Sequence, residues 1–313
     1  MNRGRIGERA KCWFWLAAVM LALTPTMVWA ERSVETAFGE VVVPDAPQRV
    51  VTLHEGALDT ALAVGIMPLG AVTTRGGDGV ARYIEAHLDG ERPTIVGVVR
   101  EINLEAVLRL GPDLILAPPQ LSEAQYRLLS RMAPTVVPLS EGLDPELWRD
   151  EARLHAQALG RGAEVEALLE QVDARAAEIA ERIVADEAPS AVLVRWMPQG
   201  PMVLSADLFT AGLVRAAGVE IHDAGLVEES KPHSDTLSLE NLSRVDADWL
   251  FLATLNEEGR DALEAARASP AFSRLDVVAR DQVVPVDGQL WTSATGPLAA
   301  LAILDELDTA LSP

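Results

Sequence analysis

Apolar and polar positions along this chain follow two different periods. Short runs of branched apolar residues, such as "RVVTL" (residues 49–53) and "AVLV" (residues 191–194), predict buried strands. Apolar positions spaced three or four residues apart, as in residues 57–64 before Gly65, predict helices. Strands that alternate with helices predict a parallel sheet covered on both faces, so the expected fold class is α/β.

One phrase of this pattern occurs twice. "LEAVLRLGPDLILA" (residues 104–117) returns as "LENLSRVDADWLFL" (residues 239–252), and each predicts a helix followed by a strand. Four residues are identical in the two copies, and the members of each pair are 135 residues apart: Leu104 with Leu239, Glu105 with Glu240, Arg109 with Arg244, and Asp113 with Asp248. Residues 211–221 also echo residues 59–69 in the same order. The repetition predicts two lobes of one design.

A segment of another kind separates the two lobes. Residues 163–185 contain neither Gly nor Pro, and their apolar residues form a single helical stripe. A helix of this length spans about 35 Å and acts as a stiff spacer. The predicted organisation is an N-terminal α/β lobe (residues 31–143), a helical connector with the long linking helix (residues 144–187) and a C-terminal α/β lobe (residues 188–313).

The first thirty residues predict a secretory signal peptide. Four basic residues precede a 12-residue apolar run (residues 12–23), and "VWA" (residues 28–30) offers small residues for cleavage near Ala30. The run is too short for a membrane span, which needs roughly 20 apolar residues. "RAK" before Cys12 does not suit a lipoprotein signal, so we expect a soluble protein in the periplasm.

Composition narrows the class of partner. The net charge is −21, and it becomes −24 without the first thirty residues, which contribute +3. So acidic a chain argues against nucleic acid and anionic lipid as partners. Lys231 is the only lysine after residue 30, and Cys12 is the only cysteine, so a mature chain would carry no disulfide. A clustered cation is informative against this background.

The predicted carboxyl ends of the strands, where ligands bind in parallel α/β sheets, supply the candidate site. Guanidinium groups there suit carboxylates and other anions, and indoles suit an organic skeleton. The candidates in the first lobe are His54, Glu55, Arg75, Arg100 and Gln120. Those in the second lobe are Arg195, Trp196, Lys231, His233, Trp291 and Thr292.

Signatures of enzymes and of metal sites are missing from the sequence. "HEGAL" (residues 54–58) places Leu58 where a zinc protease needs its second histidine. There is neither a phosphate-binding loop nor a G-x-S-x-G elbow, and the five histidines lack ligand spacing. We therefore expect no catalytic residue, no resident metal and no cofactor.

With these segments in view, the chain resembles the iron-siderophore substrate-binding proteins of ABC importers, the family that includes ferrichrome-, ferric-citrate- and cobalamin-binding proteins. The resemblance rests on "PQRVVTL", "VGVVREINLEAVLRLGPDLILAPP", "SLENLSRVDADWLFLA" and "DGQLWTSATGPLAALAILDEL". It implies two Rossmann-like lobes joined by one long helix, with the ligand in the cleft between them. It also implies a monomer that delivers a ferric siderophore to an inner-membrane permease dimer with its ATPase.

The resemblance assigns roles to particular residues. It implies that Glu105 and Glu240 dock with arginines of the permease, although the helix macrodipole alone also favours glutamate at a helix start. Arg100 resembles a cleft arginine that ferrichrome-type proteins place one position earlier, where this chain has Val99. Trp291 matches their cleft tryptophan. Lys231 stands where they carry an aromatic residue, and this favours a chelate with anionic character.

Other ligands and activities are alternatives to the siderophore. The same fold binds cobalamin or haem, and His54 is a candidate axial ligand for haem. A direct binder of metal ions and an exported enzyme on a two-lobed scaffold are the remaining alternatives.

Overall fold

The computed structural model describes residues 31–88, 90–139, 142–183, 188–243, 245 and 247–312. The predicted signal peptide, Arg244 of the repeat and the last two residues of the predicted long helix lie outside these ranges. Among the helices that the structure does describe, none combines the length and the apolar character that a membrane span requires.

The N-terminal lobe is built on a parallel sheet. The sheet has the order β5-β4-β3-β8-β9, and all neighbouring strands run parallel. Antiparallel hairpins, β1–β2 and β6–β7, accompany it. The elements of this lobe are β1 (Glu31–Thr36), β2 (Gly39–Pro44), β3 (Val50–Thr52), α1 (Glu55–Ala63), β4 (Gly70–Ala71), α2 (Arg82–Glu85), β5 (Thr94–Ile95), β6 (Gly97–Val98), β7 (Glu101–Ile102), α3 (Leu104–Leu110), β8 (Leu114–Leu116), α4 (Glu123–Leu129) and β9 (Thr135–Val136).

Two helices connect the lobes, α5 (Leu147–Leu159) and α6 (Gly162–Arg182). Helix α6 is the predicted linking helix, and Val165, Leu169, Val172, Ala176 and Ile179 are its buried stripe as expected. It ends at Arg182, three residues before the predicted end. Helix α5 packs against both α1 and α6, so the connector is a helical pair.

The C-terminal lobe has a mixed sheet. Strands β12, β10, β13 and β14 run parallel, while β11 pairs antiparallel with β10 because only two residues separate these strands. The elements are β10 (Ser190–Met197), β11 (Gly200–Val203), α7 (Phe209–Ala216), β12 (Glu220–Ile221), α8 (Leu239–Leu242), β13 (Trp249–Thr254), α9 (Glu257–Arg267), a 3-10 turn (Phe272–Arg274), α10 (Asp276–Ala279), β14 (Val283–Asp287), α11 (Gly288–Ser293) and α12 (Pro297–Leu311). The two lobes confirm the predicted α/β fold.

The repeated phrase has repeated structural roles. Asn103 caps α3 by accepting from Ala106 N at 3.0 Å, and Ser238 caps α8 by accepting from Asn241 N at 3.1 Å. The repeated aspartate fixes the start of the neighbouring strand. Asp113 accepts from the backbone N–H groups of Gln48 and Arg49 just before β3, and Asp248 accepts from Ser190 N and Oγ at the start of β10.

The two lobes share one apolar core. A single cluster of buried side chains contains Leu114 and Val136 of the first sheet together with Leu193, Phe251 and Ile303 of the second lobe. Helix α12 crosses back to pack against α1 and α6. Burial of this continuous surface is the main stabilising term, and it holds the lobes as one body.

A buried carboxyl group strengthens the same junction. Asp59 of α1 is 0 % exposed and accepts hydrogen bonds of 2.9 Å from Leu298 N and Ala299 N, the first turn of α12. Gly296 precedes that turn with φ of 120°, and a Cβ there would lie 2.4 Å from Asp59 Oδ1. Only glycine fits this position, because both the backbone angle and the space exclude a side chain.

Candidate ligand cleft

A buried arginine without a counter-charge stands at the carboxyl end of the second sheet. Arg195 is near the end of β10 and only 3 % exposed. Its Nε donates to Thr292 Oγ1 at 2.8 Å, and a second guanidinium nitrogen donates to the Thr292 carbonyl. No carboxylate among the described residues lies within ion-pair distance of it. Thr292 therefore positions the guanidinium, but it does not neutralise it.

The positive charge of a second arginine, from the other lobe, acts on Arg195. Arg75 follows β4, is exposed, and makes no ion pair with a described residue. Burial, with the positive charge of Arg75 as the second cause, lowers the pKa of Arg195 to about 10. Two cations this close repel each other, so an anion bound between them would be stabilised by both.

Contacts with the C-terminal lobe hold the loop that carries Arg75 in place. Arg82, at the start of α2, forms a bidentate ion pair with Asp287 at 2.9 and 2.5 Å. Gly76 approaches Leu255 so closely that a Cβ on the glycine would lie 3.0 Å from Leu255 Cβ. The loop is thus fixed against the C-terminal lobe, and this places Arg75 at the boundary between the lobes.

His54 and Glu55, both predicted for the cleft, lie at the junction beneath this loop. Glu55 Oε2 accepts from Thr74 Oγ1 at 2.7 Å, while Oε1 is buried without a partner. Burial raises the pKa of Glu55 to about 7 and lowers the pKa of His54 to about 4. Each residue keeps some exposed surface, but its polar atoms face the interior.

Sequence reasoning missed the partners of Glu55 in this junction. Asp59 and Tyr83 share the site, and burial raises the pKa of Asp59 to about 8 in spite of its two backbone hydrogen bonds. Burial, together with the two carboxyl groups, raises the pKa of Tyr83 well above its ordinary value. Glu55 and Asp59 are four residues apart on α1, whereas Tyr83 comes from α2, and no sequence signal joins Tyr83 to the two carboxyl groups.

Arg100 and Gln120 lie in exposed turns at the same edge of the first sheet. Arg100 occupies the tip of the β6–β7 hairpin with φ of 72°, an unusual backbone angle for a residue other than glycine. It has no hydrogen-bond or ion-pair partner among the described residues. Gln120 follows β8 in a turn closed by Leu121 N donating to Pro118 O. Both side chains are free to contact a ligand.

The two tryptophans predicted for the cleft are buried in this structure, and their contact with a ligand stays a prediction. Trp196 is 3 % exposed and packs edge-on against Phe272 in the core. Trp291 is 1 % exposed, stacks on Phe251 and donates from Nε1 to Glu306 Oε2 at 2.6 Å. Both indoles serve the core of the second lobe.

Lys231, also predicted for the cleft, lies along the edge of the second sheet, and its contact with a ligand stays a prediction. His233 pairs with Leu204, one residue beyond β11, so the segment runs along the sheet edge parallel to β10. Lys231 therefore lies toward the amino end of β10, away from Arg195, and its charge pairs with Glu228 at 2.7 Å. His233 is partly buried, with Nδ1 2.8 Å from the Ser234 carbonyl oxygen, and lies on the same edge.

Glu105 and Glu240 are exposed in the first turns of α3 and α8. Neither carboxylate has an ion-pair partner among the described residues. In a parallel α/β lobe, a helix begins at the carboxyl side of the strand before it, so each glutamate lies on the cleft side of its lobe.

Surface shape does not identify the site by itself. Two concavities of about 450 and 470 Å³ flank β14, and neither is lined by any predicted ligand-binding residue. Within the described part of the chain, no three His, Cys, Asp or Glu side chains converge as metal ligands would. The candidate cleft therefore rests on the two unpaired arginines.

Comparison with known proteins places this geometry in a family. A probable siderophore-binding lipoprotein of Bacillus subtilis, YfiY, is 28% identical over 276 residues, which is 85% of this chain and 83% of that protein. The Fe(3+) dicitrate-binding periplasmic protein FecB of Escherichia coli is 24% identical over 290 residues, 92% of this chain and 91% of its own.

A solved structure gives the same answer for the fold. Staphylococcus aureus SirA in complex with staphyloferrin B superposes with a TM-score of 0.76 at 26% identity, covering 90% of this chain and 98% of SirA. The family described as periplasmic binding protein matches residues 50–290, a range that includes the connector, most of both lobes, and Arg75 and Arg195 of the candidate cleft. The chain belongs to the periplasmic binding protein family.

Proposed function

We propose that this protein binds a ferric siderophore with anionic groups in the periplasm and delivers it to an inner-membrane ABC permease. The observation that carries the proposal is Arg195, a buried guanidinium that has no carboxylate partner and on which the positive charge of Arg75 acts from the other lobe. An uncompensated buried charge is costly, and an anionic ligand is the partner that would offset this cost.

The charge pattern favours a carboxylate-bearing chelate over a neutral ligand. Ferric citrate presents carboxylates, which match the fork of a guanidinium group. Arg100 adds a third cation, which is exposed at the edge of the first sheet and has no ion pair within the described residues. FecB, which covers 92% of this chain, is a Fe(3+) dicitrate-binding protein, and this supports the same class of ligand.

Delivery requires a surface for the transporter. We assign this role to Glu105 and Glu240, one on each lobe, whose carboxylates face solvent without an internal partner. Because the lobes share a core, the distance between the two carboxylates is fixed, so docking selects a permease dimer with matching cations. The exported protein would begin at Glu31 and act as a monomer without a cofactor or an enzymatic activity.

Intrinsic tryptophan fluorescence of the chain from Glu31 tests the ligand class. Trp291 adjoins Thr292, which holds Arg195, so binding near Arg195 should change its emission. We expect ferric citrate or another anionic ferric chelate to bind more tightly than neutral hydroxamate chelates. Selective binding of cobalamin or haem, stoichiometric binding of a free metal ion, or turnover of the ligand would contradict the proposal.

A further inference from the structure

The two repeated helices differ at the position three residues after the shared glutamate. Leu108 of α3 corresponds to Ser243, which follows α8, at the same separation of 135 residues that relates Glu105 to Glu240. One buried position agrees, since Val107 is 0 % and Leu242 1 % exposed, whereas buried Ala106 corresponds to exposed Asn241. The repeat therefore keeps the glutamate and the buried anchor but changes the residue beside the glutamate.

Leu108 is an exposed apolar residue, and the packing of α3 does not require an apolar residue at this position. Its side chain is 59 % exposed, whereas Ala106 and Val107 supply the buried face of the helix. Leu108 lies three residues after Glu105, so the two side chains are neighbours on the outer surface of α3. Ser243 instead donates from Oγ to the backbone carbonyl of Glu240 and stays polar.

The exposed apolar side chains are confined to one lobe. Among the described residues, the large apolar side chains that are exposed all lie in the N-terminal lobe: Val42, Ile95, Val98, Val99, Leu108, Leu128 and Leu139. Four of them fall within residues 95–108, the segment that leads into and forms α3. Exposed apolar side chains in the same segment as a functional group such as the Glu105 carboxylate indicate a surface that contacts another molecule.

We propose that Leu108 and Glu105 form a two-part docking contact for the ABC permease, with Leu108 as its apolar anchor. The inference rests on the proposed function. Glu105 has no counter-charge within the described chain, so the permease supplies a cation there and an apolar surface beside it. Around Glu240 the contact is polar alone. Docking is therefore unequal between the lobes, and the N-terminal lobe contributes the larger share of the affinity.

Replacing Leu108 by the residue of the other repeat tests this inference. Wild type, Leu108→Ser, Glu105→Ala and the control Leu128→Ser would be compared for binding to the cognate permease in nanodiscs, with and without ferric citrate. Leu128 is a matched control because it is 44 % exposed on α4, a different helix of the same lobe. Thermal unfolding and ferric-citrate affinity are measured alongside for each variant.

We expect Leu108→Ser to weaken docking about tenfold, equivalent to ~1.4 kcal/mol, while Leu128→Ser docks like wild type. Unfolding temperature and ferric-citrate affinity should stay unchanged in both. If Leu108→Ser docks like wild type while Glu105→Ala docks weakly, the apolar anchor is refuted and the proposed function stands. If wild type does not dock at all, the delivery function fails and the anchor fails with it.

Discussion

Replacing Arg195 by Met should make the protein more stable and less able to bind. Methionine has a similar length and no charge, so it can fill the space of the arginine side chain. Arg195 is 3 % exposed, and its guanidinium bonds only to Thr292 among the described residues. A buried charged residue whose role is to bind a ligand should lower the stability of the protein while no ligand is bound.

The magnitude follows from the pKa and the hydrogen bonds of Arg195. Its pKa falls from 12.5 to about 10, and such a decrease corresponds to roughly 3 kcal/mol against the charged form. Losing two hydrogen bonds to Thr292 costs about 1 kcal/mol each. The net gain in the free energy of unfolding is about 1 kcal/mol, or roughly 2–4 °C in the unfolding temperature of a domain this size. Binding should weaken by about 2–5 kcal/mol, the cost of losing a buried charged contact.

Urea unfolding and fluorescence titration with ferric citrate would measure the two effects on the same samples. Arg131→Met is the control, because Arg131 is exposed and has no ion pair within the described residues. A loss of stability of more than about 2 kcal/mol would show that Arg195 is a structural residue. Unchanged affinity for the best ligand would remove Arg195 from the cleft.

Two further predictions concern the junction between the lobes. Burial raises the pKa of Glu55 from 4.5 to about 7, so the free energy of unfolding should fall as pH rises through this range, and Glu55→Gln should make that slope shallower and leave the part that Asp59 contributes. Urea unfolding at several pH values between about 4 and about 8 checks this, and identical profiles for the two proteins would contradict it. Gly296→Ala should destabilise the protein by at least about 2 kcal/mol because its Cβ would meet Asp59. The control Gly162→Ala has open space and should unfold like wild type.

The local pattern of apolar and polar residues was enough to predict most of the helices and strands. The linking helix α6 and the repeated helix–strand phrases of both lobes form as predicted. These elements combine a clear period with turn or capping residues at their ends, so neighbours in sequence determine them. The boundaries of the lobes and connector stay predictions, since the described chain is one compact unit with a shared core.

Sequence could not place those site residues whose position depends on the direction of the side chain. Arg195 and Trp196 are adjacent on β10, so their side chains point to opposite faces of the sheet and cannot both meet one ligand. Trp291 turns inward because Glu306 of α12, 15 residues later, accepts its Nε1–H. Asp59 meets the start of α12 about 240 residues away, and no local signal predicts a contact between segments so far apart.

That distant contact has a consequence for the order of folding. Asp59 is synthesised about 240 residues before the amide groups that bind it. At roughly 5–20 residues per second, the ribosome needs about 10–50 s to make the intervening chain. Until α12 emerges, α1 lacks both the partner of its buried carboxyl group and the helix that covers it. The N-terminal lobe therefore cannot reach its final packing until the C-terminal helix of the chain has been made.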